Sequence, residues 1–383
     1  MTVTHAAGFR ASGVVAGLKS SGNRDVALVV NDGPHFTAAG VFTSNRVKAA
    51  PVLWSEQVLK TGKLKSVVLN SGGANACTGP EGFADTHRTA EHVADVLGLA
   101  PIDVAVCSTG LIGLRLPMDK LLAGVDEAVT ELRPQGGQDA ALAIMTTDSI
   151  PKTVVVESSG WSVGGMAKGA GMLAPGLATM LVVLTTDADV SAIDLQKELE
   201  AAVNVSFNRI DSDGCMSTND TVLLLSSGAS GIEADPVEFR IALTEACSSL
   251  ARQLIGDAEG ASKDIRIDVL NAASEADAVE AARAVSRSNL LKCAIHGEDP
   301  NWGRVLSAVG TTQAAFDPNE ISVALNGVWV CRDGMTGDDR NLVDMSGREV
   351  TISIDLKAGS HTATLWTNDL TAMYVHENSA YSS

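Results

Sequence analysis

"KGAGMLAPGLATMLVVLTTDADV" (residues 168–190) joins a lead-in of small residues to the unbroken apolar run Met180, Leu181, Val182, Val183, Leu184. Consecutive apolar residues of this length, rich in Val and closed by Thr-Thr-Asp, read as a buried strand. The join falls at Ala178 and Thr179, so a hydroxyl stands at the mouth of that strand. Taken alone, Thr179 is an ordinary strand residue, because its β-branched side chain suits a pleated surface.

Outward from this run, short strand-like segments alternate with amphipathic helical ones. DVALVV (25–30), SVVLN (66–70), IDVAVC (102–107) and TVVVE (153–157) are β-branched and bounded by Gly, Ser or Asn, the pattern of strands. EGFADTHRTAEHVADVLG (81–98) and MDKLLAGVDEAVTELR (118–133) space apolar residues for one face of a helix. The second half predicts helices near 191–203, 236–255 and 275–288, with strands near 221–225, 264–270, 321–331 and 350–366. The elements interleave without a regular βαβ metre, so the expected class is α+β with layered sheets and helices rather than a doubly wound sheet. No fixed-period repeat or low-complexity linker divides the chain, and the Gly-rich stretch 160–176 is the best internal break.

The chain has 383 residues, 45% hydrophobic and 19% charged, with only 4% aromatic and 36 Gly. That composition is globular, with an aliphatic core and room for two or three folding units. A formal net charge of -18 leaves no basic face to displace counterions from nucleic acid, which favours a small-molecule partner and no nucleic acid. Six cysteines at 77, 107, 215, 247, 293 and 331 never form a C-x-x-C pair and read as reduced thiols. MTVTHAAGFRASGVVAGLKSSG (1–22) lacks the apolar core of a signal peptide, and no run reaches the length of a membrane span, so a cytoplasmic enzyme or binding protein is expected.

Three motifs fail as familiar sites. GGMAKGAG (164–171) lacks the Gly-Lys-Ser/Thr order of a phosphate loop and reads as a flexible loop. HGEDPNWGR (296–304) offers His296, Glu298 and Asp299 but no second ligand cluster, so a polar turn is preferred to a metal site. A G-x-S-x-G elbow is absent, which removes support for a serine hydrolase triad.

Thr179 gains chemical meaning if the chain is cut just before it. A Thr hydroxyl is a feeble nucleophile without an adjacent base, and the chain's own freed α-amine, with a pKa of about 8, can be that base. The small Ala178 leaves its carbonyl open to attack, and a glycine-rich lead-in can adopt the strained backbone that such a cut needs.

The segment "KGAGMLAPGLATMLVVLTTDA" resembles the self-cleavage segment of the ornithine acetyltransferases, the arginine-biosynthesis family also called glutamate N-acetyltransferases. NSGGANACTG (70–79), CSTGLIG (107–113), MTTD (145–148), SFNRI with STND (206–220), GDAEGASK (256–263), HGEDPNWGR and NSAYSS (378–383) agree with the family in order along nearly the whole chain. The resemblance implies an N-terminal-nucleophile-like α+β fold. It also implies self-cleavage between Ala178 and Thr179, giving an α chain of 1–178 and a β chain of 179–383 that stay one folded unit. Thr179 would be the nucleophile that carries acetyl from N-acetylornithine to glutamate by ping-pong kinetics, with acetyl-CoA as a further donor in some members. Thr109 and Gly110 match the family's oxyanion-hole pair. Thr146, Lys168, Thr179, Glu259, Asn378 and Ser383 match substrate-holding positions. No metal or tightly bound organic cofactor is implied, and the assembly implied is a heterotetramer of two α and two β chains.

Gly176-Leu177 stands where the family commonly has Asn-Met, and Ser383 where it commonly has Thr. SDGCMSTND also departs from the family's acidic version at Cys215 and Met216. Two other functions use the same residues differently: an aminopeptidase or amidase in which water takes the acyl group from Thr179, and an uncut binding protein that keeps the fold.

Overall fold

The computed structural model describes residues 2–174 and 180–380. The chain forms two compact units, Met1–Asn208 with Cys215–Leu254, and Arg209–Gly214 with Ile255–Ser382.

The first unit stacks two sheets between helices. One sheet has the order β1 (Phe9–Val14), β2 (Val26–Asn31), β4 (Ser66–Asn70), β5 (Val104–Ser108). The other runs β3 (Thr37–Phe42), β9 (Thr221–Ser226), β8 (Leu181–Thr186), β7 (Ser162–Lys168), β6 (Lys152–Glu157). Successive side chains of a strand point to opposite faces, and β2 uses both. Ala27 and Val29 meet Met166, Leu181, Val183, Leu223 and Leu225 of the second sheet. Val26, Leu28 and Val30 pack on the other side with Ala90 and Val93 of α2 (Gly79–Leu97) and Leu121 and Val125 of α3 (Met118–Thr130).

Ala140, Ala141 and Ala143 of α4 (Gly137–Ala143) join the inter-sheet core, and α1 (Ala50–Val58) lies beside β5, Ser55 donating to the Val106 carbonyl at 2.8 Å. On the outer face of the second sheet, α5 (Ala192–Val205) packs on β3, and α6 (Pro236–Gly256) sets Phe239 against Trp161, ring centres 5.6 Å apart. This helix–sheet–sheet–helix stack is the layered α+β arrangement that the sequence predicts.

The apolar run after Thr179 becomes β8, the middle strand of five, antiparallel to β7 and parallel to β9. GGMAKGAG is not a loop throughout: Gly164 to Lys168 lie in β7, every residue of which is buried. A Cβ on Gly164 would stand 2.5 Å from the Thr2 carbonyl oxygen, so these glycines allow the chain to pass close rather than bend.

The second unit is a six-stranded sheet of order β13 (Met335–Thr336), β12 (Val328–Arg332), β11 (Ser322–Leu325), β14 (Glu349–Asp355), β10 (Asp264–Ala272), β15 (His361–Asn368). Ile265, Ile267 and Val269 of β10 pack with Ala278, Ala281, Ala282 and Val285 of α7 (Glu275–Ser286), Leu291 and Ile295 of α8 (Asn289–His296), and Val305 and Val309 of α9 (Trp302–Val309). The helix α10 (Ala372–Ala380) follows the last strand.

Two strands expected to be continuous are each a pair. The run 321–331 folds back at Asn326 and Gly327, whose φ values of 45° and 83° are those of a tight hairpin turn. The run 350–366 breaks into β14 and β15, with Lys357 at φ 51° in the connection. Among the described residues, no helix is long and apolar enough to cross a membrane.

Candidate active site

β5 and β7 deliver two of the expected residues to one place. Lys168 ends β7, only 1% exposed, and its Nζ donates to the Thr109 hydroxyl at 3.2 Å. Thr109 follows β5 and is itself buried; its N–H donates to the Asn70 carbonyl at 3.0 Å. Asn219 braces the same turn, its Nδ2 donating to the Ser108 carbonyl at 2.8 Å and the Ala74 carbonyl at 2.6 Å. Asn70 Nδ2 donates to the Ser108 hydroxyl at 2.7 Å, while its buried Oδ1 has no hydrogen-bond partner.

Gly110 has φ 132°, and a Cβ there would lie 2.9 Å from both N and Cα of Gly73. Only glycine fits this backbone. The turn therefore fixes the buried Thr109 hydroxyl next to the half-buried Gly110 backbone, and a hydroxyl beside a main-chain N–H is a pairing that can stabilise charge developing on a carbonyl oxygen.

Behind Lys168 stands a carboxylate the sequence reading did not single out. Asp148, with a fully buried side chain, accepts from Lys152 Nζ at 2.6 Å and the Gly169 N–H at 2.6 Å through Oδ1, and from the Thr146 N–H at 2.9 Å through Oδ2. Burial pushes its pKa up, but the ammoniums of Lys168 and Lys152 and the Gly169 N–H outweigh it and hold the group below the usual carboxylate range. Gly169 sits at φ 151°, and half-buried Thr146 is fixed through its own backbone.

A second buried carboxyl, Asp220, accepts from the Met180 N–H at 3.0 Å and the Ser217 N–H at 3.0 Å. Met180 is the first described residue after Thr179, so Asp220 pins the chain at the entrance to β8. Here burial dominates: it raises the pKa well above the usual value, against the two N–H groups and Lys168. Ala178, Thr179 and Ser383 lie outside the described residues.

In the second unit, Glu259 lines a cavity of about 200 Å³ with Asp213, Lys292, Asp369 and Tyr374. Lys292 is buried, its Nζ donating to the Ser212 carbonyl and, at 3.3 Å, to the Thr367 hydroxyl. Desolvation lowers its pKa, while Asp211, Asp213 and Asp369 pull it up. Burial would raise Asp369, but donors from Ser262, Lys263 and His296 hold it low. The cavity thus presents both signs of charge. Asn378 is exposed on α10, its Nδ2 donating to the Tyr374 carbonyl at 3.0 Å. Among the described residues no cluster of His, Cys, Asp or Glu could hold a metal ion.

The profile of the ArgJ family matches residues 10–383. The chain belongs to the ArgJ family. It is 67% identical to the arginine biosynthesis bifunctional protein ArgJ of Streptomyces coelicolor and 61% identical to that of Thermobifida fusca, each over 383 residues and the full length of both chains. A solved ornithine acetyltransferase of Mycobacterium tuberculosis, in complex with ornithine, is 62% identical; the match covers 47% of this chain and 96% of that one, with a TM-score of 0.45.

In this ArgJ-family chain, Thr109, Gly110, Thr146 and Lys168 gather in the first unit, whereas Glu259 and Asn378 belong to the second. Asp148 and Asp220 escaped the sequence reading although they close the quoted motifs MTTD and STND. Each is an acid closing a short run of hydroxyl and amide residues, which by itself reads as a turn; beside local partners, each also takes an N–H from 21 and 40 residues away, which no local pattern reveals.

Proposed function

We propose that the chain moves an acetyl group from N2-acetyl-L-ornithine to L-glutamate through an acetyl ester on Thr179, after cutting itself between Ala178 and Thr179. Family membership across the whole chain carries this reading, and the Thr109–Gly110 turn beside Lys168 supplies matching chemistry. In the cut, the Thr179 hydroxyl attacks the Ala178 carbonyl carbon and the C–N bond breaks to leave an ester. Breaking that bond already frees the α-amine of Thr179; water then hydrolyses the ester, releasing the carboxylate of the 1–178 chain and restoring the Thr179 hydroxyl.

In the first half of transfer, the hydroxyl attacks the acetyl carbonyl carbon and gives its proton to the α-amine. The tetrahedral oxyanion forms at the Thr109–Gly110 turn, the C–N bond to ornithine breaks, and the amine hands its proton to the departing nitrogen. The glutamate amine then attacks the acetyl-Thr ester, loses its proton to the same base and restores the hydroxyl. Lys168 and Glu259 hold substrate charges, with Thr146, Asn378 and Ser383 as further contacts.

The order of the five-stranded sheet supports the two fragments staying together, because β6 and β7 precede the cut and β8 and β9 follow it within one hydrogen-bonded ladder. The reading includes a heterotetramer of two 1–178 and two 179–383 chains, and the cytoplasm as compartment, in keeping with six cysteines that form no disulfide. Acetyl-CoA as a second donor is favoured by the relatives' designation as bifunctional.

The test is twofold. Denaturing mass spectrometry should find wild type in two pieces meeting at 178 and 179, and Thr179→Ala as one chain. With acetylornithine and labelled glutamate, wild type should yield labelled acetylglutamate; free acetate as the sole product would make it a hydrolase, and an uncut active chain would remove the amine base.

A further inference from the structure

We propose that Asp148 is a positioning residue for acetyl transfer, tying Lys168 and Thr146 into one rigid substrate cradle and serving as the counter-ion that keeps the Lys168 ammonium charged in a water-free place. The inference rests on the acetyltransferase reading for its substrate. Its structural part stands on geometry alone.

The side chain is fully buried and both oxygens are used, one on the residue after Lys168 and one on Thr146 itself. Oδ1 receives the N–H of Gly169, the residue after Lys168, at 2.6 Å; Oδ2 receives the N–H of Thr146 at 2.9 Å. The carboxylate therefore links the end of β7 to the 145–148 segment. Lys152, also fully buried, bonds the same Oδ1 at 2.6 Å. A buried carboxylate that receives two main-chain N–H groups and an ammonium is locked in one rotamer. It transmits that order to the backbone on both sides.

The charge matters as much as the shape. Lys168 is buried and faces the ammonium of Lys19, whose own pKa is lowered by burial and by Lys168 against the pull of Asp25 and Asp148. Lys19 Nζ is anchored on the Met145 carbonyl at 2.6 Å. Asp220, the other carboxyl acting on Lys168, is pushed by burial toward its neutral form. Asp148 supplies fixed negative charge to Lys168 and Lys152, and at Lys19 it adds to the larger influence of Asp25, itself fully buried. Without it, like charges face one another in a low-dielectric site and a lysine loses its proton.

The experiment compares wild type, Asp148→Asn and Asp148→Glu after checking that each melts cooperatively. Two readouts are taken: kcat and KM for acetylornithine from pH 6 to 9, and the rate of trace reductive methylation of Lys168, read by peptide mass spectrometry over the same range. Asp148→Asn keeps one acceptor but no charge. It should lower kcat/KM about 100-fold, mainly through KM, with the basic limb of the profile moved to lower pH. Lys168 should be methylated about tenfold faster at pH 8, because more of it is neutral.

Asp148→Glu keeps the charge but displaces it, so KM should rise while Lys168 labelling stays near wild type; this variant decides the matter if the Asn variant does not fold. Wild-type KM and labelling in whichever variant folds would overturn the proposal. Should wild type itself transfer no acetyl group, the function reading fails, and the labelling alone still accepts or rejects Asp148 as the counter-ion.

Discussion

The two large sheets bury their strands differently. In the five-stranded sheet of the first unit, β7, β8 and β9 are buried at every residue. In the six-stranded sheet of the second, β14 alternates, with Val350, Ile352 and Ile354 inside and Thr351, Ser353 and Asp355 half-exposed. A polar side chain on the second sheet can turn to water. On β7, β8 and β9 it must find a partner within the protein, which is why Lys168 at the end of β7 and Asp220 just before β9 belong to a connected network with Lys152 and Asp148.

That contrast predicts unequal costs, beginning with the network. Lys152→Met leaves Asp148 with a buried charge short of one partner and should lose about 3–5 kcal/mol in urea unfolding. A loss below about 1 kcal/mol would mean that water reaches the cluster and the contrast is false. Leu365→Ala in the second sheet empties a fully buried position and should cost about 2–5 kcal/mol. Gly110→Ala meets Gly73 backbone at 2.9 Å and forces a left-handed φ on alanine; kcat for transfer should fall about 100-fold, since the turn we propose to hold the oxyanion must shift.

The two buried carboxyls should answer pH in opposite senses. Asp148 is held below its unfolded value, so its contribution is present above pH of about 4 and is lost as acid titrates the folded group. Asp220 is held above its unfolded value, so its native form favours the proton and stability declines as pH rises from about 4 toward its folded pKa. Relative to wild type, Asp220→Asn should therefore gain stability between pH 5 and pH 8, whereas Asp148→Asn should recover only below about pH 4. Equal pH responses would break the distinction. The smallest effect belongs to the open face: Arg266→Ala, losing an exposed pair with Asp268 and a stack on Trp366, should cost less than about 1 kcal/mol in the same titration.

The same contrast explains what the sequence could tell. Alternation and amphipathic spacing mark elements with one wet face, so α2, α3 and β10 were legible within a few residues. β7 was not, because a strand buried on both sides and built largely from Gly164, Gly165, Met166 and Ala167 carries no alternation and a single β-branched residue, Val163. The Asn326-Gly327 hairpin carried a readable local signal that a scan for apolar runs passed over. In the site, Lys168 and Thr109 came from resemblance. Asp148 and Asp220 required the fold, since what gives each its role is a backbone N–H supplied by a distant strand end.

The Asn326-Gly327 turn has a further consequence for the lifetime of the protein. Asn followed by Gly is the pair most prone to spontaneous deamidation, in which the glycine nitrogen attacks the asparagine carboxamide to close a succinimide. Here the carboxamide is tied at both ends, Oδ1 receiving the Thr351 N–H at 2.7 Å and Nδ2 donating to the Asp344 carbonyl at 2.6 Å. Ring closure must swing the carboxamide carbon onto the Gly327 nitrogen, a movement these two bonds oppose. The hairpin that the second sheet needs is thereby also a turn that ages slowly.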